Sequence, residues 1–155
     1  MKKLILFLVV SAFTLTMNAQ VPSGYIDLGL PSGTLWKKTN ESGLYTYAQA
    51  QSSFGRALPS EEDWQELKDN CQWVWTGNGC RVIGPNRNVL FLPAAGYIKC
   101  SGNSKHENVV GHYTSGDSVD EYQIWGLLFA EGQVGTEVVV DVVRKCEALS
   151  VRLTY

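Results

Sequence analysis

Few groups in this sequence could carry out chemistry on their own. Only two histidines occur in 155 residues, His106 and His112, both in a polar stretch. No Gly-x-Ser-x-Gly elbow or comparable signature surrounds them, so the nearby Ser104, Ser115 and Cys100 have no evident partner as nucleophiles. The histidines are expected to be solvated loop residues, and the chain is not expected to be an enzyme. The four cysteines, Cys71, Cys80, Cys100 and Cys146, include no pair two to four residues apart, which excludes the usual zinc spacings. No metal or other cofactor is expected. Lys and Arg number 13 against 15 Asp and Glu, for a formal charge of −2. That balance excludes the basic surface a nucleic acid or an anionic membrane would require. The sequence contains no internal repeat and no low-complexity segment.

A long apolar run is also missing. Met1-Lys2-Lys3 precedes a short apolar stretch, Leu4 to Val10, which leads through Ser11–Leu15 to Met17-Asn18-Ala19-Gln20. A spanning helix needs about 20 apolar residues. A basic start, a brief apolar core and a small residue before a polar one make a secretory signal peptide. Residues 1–19 are therefore expected to be removed after Ala19, leaving 20–155 as one domain with no stable membrane span. The destination is the periplasm or the outside, and the absence of a cysteine at the cleavage site argues against a lipoprotein anchor.

What is present suits a globular domain: 45% apolar and 18% charged residues, with five Trp, seven Tyr and five Phe. In an exported chain four cysteines permit two disulfides in three connectivities. A hairpin turning at Gly77-Asn78 would set Trp75 opposite Cys80 and Cys71 four residues down its strand. At about 3.3 Å per residue that separation argues against a Cys71–Cys80 bridge.

Two helices are predicted in the N-terminal half. Thr46–Phe54 has Thr46 as N-cap, Gly55 beyond its end, and Tyr47, Ala50 and Phe54 on one face. The second helix opens at Ser60, with Asp63 completing a capping box and three acidic residues in the first turn; Trp64, Leu67 and Cys71 line its apolar face. Tyr25–Leu30 and Thr34–Lys37 read as strands before the helices. After them the chain reads as strands at Gln72–Thr76, Arg81–Ile83, Val89–Leu92, Tyr97–Lys99, His112–Thr114, Tyr122–Phe129, Glu137–Val143 and Ala148–Thr154. The order implies an α+β domain of mostly antiparallel short strands.

Several blocks resemble a known family. Tyr25-Ile26-Asp27-Leu28-Gly29-Leu30-Pro31-Ser32-Gly33-Thr34-Leu35-Trp36 is similar to the opening signature of the Fibrobacter succinogenes major paralogous domain. Leu58-Pro59-Ser60-Glu61-Glu62-Asp63-Trp64, Gly84-Pro85-Asn86, Phe91-Leu92-Pro93-Ala94-Ala95-Gly96-Tyr97 and Leu149-Ser150-Val151-Arg152 continue the resemblance in the family's order. The segment His112-Tyr113-Thr114-Ser115-Gly116 departs from the family's usual Trp-, Ser- and Tyr-rich pattern. The resemblance implies an exported protein of a Bacteroidetes-type bacterium with a C-type-lectin-like fold, distantly similar to sulfatase-modifying factors. Their oxidase chemistry needs a close cysteine pair late in the chain, where only Cys146 stands, so the likeness implies fold alone.

The implied activity is binding of an unknown glycan or protein through the C-terminal strands and loops. Tyr113, Ser115, Tyr122 and Trp125 are the candidate ligand-binding residues, since exposed aromatics give contact area at low entropic cost. Trp73 and Trp75 alternate like an inward strand face and are assigned to the core. Asp117, Asp120 and Glu121 form an acidic cluster read as a solvated turn, because the motifs of Ca²⁺-dependent lectins are absent. Gly96 and Gly126 are expected to serve backbone geometry. An alternative is a structural, self-associating cell-surface component pairing through Glu137–Val143.

Overall fold

The computed structural model describes residues 20–155; the expected signal peptide, 1–19, lies outside the described residues. Two α-helices and ten strands in mostly antiparallel sheets make an α+β fold dominated by sheet.

Strands β1 (Tyr25–Asp27) and β2 (Leu35–Lys37) form an N-terminal hairpin, followed by helix α1 (Tyr47–Phe54) and helix α2 (Glu61–Asn70). Both helices begin where their capping chemistry dictates. Thr46 and Gln49 form one capping box and Ser60 and Asp63 the other, satisfying amide groups that the first turn would leave unbonded. Helix α1 ends at Gly55 and passes into a single 3-10 turn, Gly55–Ala57. Trp64 and Leu67 of α2 are fully buried, as their spacing predicts.

Strands β3 (Gln72–Trp75), β4 (Gly79–Ile83) and β5 (Val89–Pro93) form one three-stranded sheet. Trp75 pairs with Cys80, so the expected turn register holds, and Cys71 and Cys80 remain free thiols. Strands β6 (Tyr97–Ile98) and β7 (Ser104–Lys105) make a short ribbon. The longest strands, β8 (Val110–Ser118), β9 (Gln123–Gly132) and β10 (Gly135–Arg144), form the second three-stranded sheet with β9 central and β10 on the edge. Cys100 and Cys146 are joined by a disulfide with Cα atoms 5.0 Å apart, tying the β6–β7 ribbon to the end of β10.

The expected terminal strand, Ala148–Thr154, is the main departure. The segment is extended, but it changes partner at nearly every residue. Ala148 bridges Ile98, Leu149 bridges Tyr45, Ser150 bridges Tyr113 and Thr154 bridges Trp36. It threads between sheets and joins no ladder, because side chains on both of its faces are buried among different elements. Val151 is fully buried and Leu153 nearly so.

The same segment carries Arg152, which is 1% exposed. Its Nε donates to Asn40 Oδ1, its Nη1 to the Lys37 carbonyl and its Nη2 to the Phe91 carbonyl, each at 2.8 Å. Asn40 Nδ2 donates in turn to the Tyr113 hydroxyl, which donates to the Pro93 carbonyl. Burial lowers the guanidinium's proton affinity, yet the three acceptors satisfy it.

An aromatic row fills the interior beside this network. Trp36 packs on Trp64 (4.7 Å between ring centroids), Trp64 on Tyr113 (5.8 Å) and Tyr113 on Phe129 (5.9 Å). Phe129 lies over Gly111, where an added Cβ would come within 2.0 Å of its ring. The expectation for Gly96 holds: its φ of +66° is left-handed, and a Cβ would strike the Lys105 carbonyl at 2.1 Å. Gly126 serves close packing instead, against the Tyr113 carbonyl and Val143.

Replacing Arg152 with Met should leave three acceptors without donors. Unpaired buried groups cost about 1–3 kcal/mol each, so a loss of at least about 3 kcal/mol is expected in urea unfolding at unchanged m-value. Arg152→Lys should recover only part of it, since one ammonium cannot reproduce a three-way planar fork. A loss under about 1 kcal/mol for Arg152→Met would remove the network's structural role.

Candidate functional site

The four candidate ligand-binding residues do not gather into one surface. Tyr113 is 0% exposed, at the centre of the aromatic row, and Ser115 is likewise fully buried. Both corrections have one cause. Strand β8 is covered on both faces, so its alternation carries no outward side; Tyr113 pairs across to Leu127 under α2, while Ser115 Oγ accepts from the Asp117 amide. Burial pushes the Tyr113 hydroxyl up to about 12, so it remains a neutral donor. Trp125 is half-buried on the sheet face that it shares with Leu127 and Phe129. Tyr122 alone stands free, 70% exposed in the β8–β9 turn.

The acidic cluster divides. Asp120 Oδ1 accepts from the Tyr122 and Gln123 amides and closes the turn. Asp117 instead accepts from the Glu61 amide at 2.6 Å, at the first turn of α2. Glu121 is exposed, as expected.

His106 is exposed, but His112 is 4% exposed, which corrects its assignment to a solvated loop. It sits within β8, with the Tyr97 ring edge-on at 5.0 Å, and neither ring nitrogen has a hydrogen-bond partner. Burial depresses its pKa to about 4 against the opposing pull of Glu147. A group held neutral and unpartnered in this way is packing material and lacks the proton-exchange contacts that general acid–base work requires. The free thiols are comparably inert. Burial pushes both Cys71 and Cys80 up to about 11, away from the reactive thiolate.

The place where large side chains and unsatisfied polar atoms meet is a cleft of about 430 Å³ between β3 and the tip of the β9–β10 hairpin. Trp73 and Trp75 form one wall, as the half-buried end of the aromatic row. Their rings lie 5.8 and 6.5 Å from that of Phe129. Glu131, Gln133 and Thr136 contribute the polar wall. In the hairpin register Thr136 pairs with Glu131, which places both side chains on the face that Phe129 and Val138 share. Trp73 Nε1 and Thr136 Oγ1 are both buried without a hydrogen-bond partner. The Thr136 hydroxyl lies close enough to the Cys80 sulfur to favour its ionised form, although sulfur is a weak acceptor.

Two other depressions offer less. A groove of about 550 Å³ along α1 is lined mainly by small polar residues such as Ser42, Ser52 and Ser53, with Tyr45 as its only aromatic. One of about 380 Å³ lies by Arg56, Gly116 and Asp117, but the Gly116 carbonyl and the Asp117 carboxylate are already engaged by Tyr47, Gln51 and Glu61.

The pairing of Trp73 and Trp75 with the hairpin tip was not legible in the sequence. Their alternation assigned them to the core, and they do pack against it, but nothing local reveals that the core opens at their outer edges. Among the described residues no group of three or more His, Cys, Asp or Glu side chains is arranged to hold a metal. No family model, curated protein or solved structure matches the chain.

The depressed pKa of His112 has a measurable consequence. The unfolded imidazole takes up its proton near pH 6.5, the folded one only near 4. The stability it contributes is therefore complete above about pH 6.5 and is lost as pH falls towards 4. Between pH 7 and 5 the loss should be about 2 kcal/mol. His112→Leu should flatten that part of the urea-unfolding pH profile; an unchanged slope would show that the imidazole is not held neutral.

Proposed function

We propose that the chain is an exported ligand-binding module of the Fibrobacter succinogenes major paralogous type. Residues 1–19 act as a cleavable signal peptide, and residues 20–155 form a C-type-lectin-like domain that recognises a glycan or a protein at the cell envelope or outside. The cleft carries this reading. Two indoles beside a carboxylate, an amide and an unpartnered hydroxyl make a concave, mixed surface of the volume that small-ligand sites occupy. Export is supported by the Cys100–Cys146 disulfide, a bond that persists in oxidising compartments. Among the described residues no helix is long and apolar enough to cross a membrane. Catalysis is disfavoured because burial raises the Cys71 and Cys80 thiols away from the thiolate and His112 has no hydrogen-bond partner.

One observation favours the alternative of self-association: β10 is an edge strand with Val139 49% exposed. The same strand argues against it. Glu137 and Asp141 flank Val139 on the same face and are exposed. Antiparallel pairing of two copies about Val139 would set Glu137 directly against Asp141 of the second copy, and like charges directly opposite destabilise a ladder.

Expression of the full chain in a Gram-negative host, followed by N-terminal sequencing of the exported protein, should give a start at Gln20. That protein should run as a monomer in light scattering and bind selectively on a glycan array or to a protein ligand. A retained Met1 would overturn the export assignment. Concentration-dependent oligomers with no ligand bound would replace the binding reading with the self-associating one.

A further inference from the structure

We infer that the cleft takes one pyranose ring of a glycan free of acidic groups, seated against Trp73 and Trp75 and hydrogen-bonded by Glu131, Thr136 and the Trp73 indole N–H. The inference rests on the ligand-binding reading above and names the ligand class of that same site.

The indoles supply flat apolar area, and a pyranose presents a matching C–H face with a hydroxyl rim. The polar groups around them are unlike one another. Trp73 Nε1 only donates, the Glu131 carboxylate only accepts, and the Thr136 hydroxyl and Gln133 amide do both. A ligand satisfying all of them must offer donors and acceptors side by side along one edge, as adjacent hydroxyl groups do. An apolar ligand would leave the buried Thr136 hydroxyl and Trp73 indole N–H unpaired and strip water from the exposed Glu131 carboxylate, which is unfavourable.

Charge narrows the class further. Among the described residues Glu131 is the only ionisable side chain lining the cleft, and no Lys or Arg lines it. A uronic or sialic acid would bring its carboxylate against Glu131 without a countercharge, so neutral and amino sugars fit and acidic ones do not. One carboxylate is also too few for a Ca²⁺ site, which takes six to eight oxygen ligands, so recognition here is independent of that ion. Trp73 Nε1 and Thr136 Oγ1 lie beneath the cleft surface. A ligand would reach them through a displacement of the hairpin tip between Gly132 and Gly135, where Gly135 adopts φ +110°.

The test is a set of fluorescence titrations on the exported, processed protein with neutral, amino and uronic-acid oligosaccharides, in the presence of a chelator. The same titrations are run on Trp73→Phe, Glu131→Gln, Thr136→Val and Tyr122→Ala, each checked for its unfolding midpoint. The expected result is saturable binding of a neutral or amino oligosaccharide, about tenfold weaker in Glu131→Gln and Trp73→Phe. Thr136→Val removes one hydroxyl at nearly constant volume, so it keeps the test decisive if Trp73→Phe fails to fold. Preference for uronic acids, or loss of binding in the chelator, would overturn the inference. Binding lost in Tyr122→Ala but intact in the three cleft variants would overturn the cleft assignment while leaving the ligand-binding reading in place. Silence towards every oligosaccharide would also overturn it, and the ligand-binding reading would then stand or fall on a protein ligand.

Discussion

The guanidinium of Arg152 lies in the interior with no salt-bridge contact among the described residues; its three hydrogen bonds go to neutral acceptors, and Glu41 supports its charge from farther away. Those acceptors come from parts of the chain that share no ladder: the end of β2, the loop at Asn40 and strand β5. A buried cation tolerates this only if every acceptor stays in place, so the side chain fixes the spacing of the elements around it. Tyr113 completes the network through Asn40 and Pro93, and its ring is the middle of the aromatic row. The polar network and the apolar interior therefore meet at one residue.

From that residue the row runs outward through Phe129 to Trp73 and Trp75, where close packing ends and the cleft begins. The cleft is thus the open end of the core. Its apolar wall continues the packing of the interior, while its polar wall is the tip of the β9–β10 hairpin.

Much of the fold could be read in the sequence because it rests on local chemistry. Ser60 with Asp63 and Thr46 with Gln49 start the helices, and the Gly77-Asn78 turn sets the register that keeps Cys71 from Cys80. What escaped the reading depends on contacts far apart in the chain. His112, Tyr113 and Ser115 sit in a polar-looking stretch that is buried because Tyr97 covers one face of β8 and the core the other. Ala148–Thr154 has the composition of a strand, but each residue bonds a different neighbour. Tyr122, expected to open a strand, is exposed in the turn before β9, whereas the cleft needs β3 and the β9–β10 tip to meet, a pairing no periodicity announces.

The threaded segment also bears on timing. Arg152 contacts Asn40 and Lys37 across 112 and 115 residues of chain, so the network cannot close until position 152 has been made. At ordinary rates of synthesis of about 5–20 residues per second, that leaves the interior open for on the order of ten seconds after Lys37 is made. Such topology leaves the polar network to close late, only once nearly the whole polypeptide has been made.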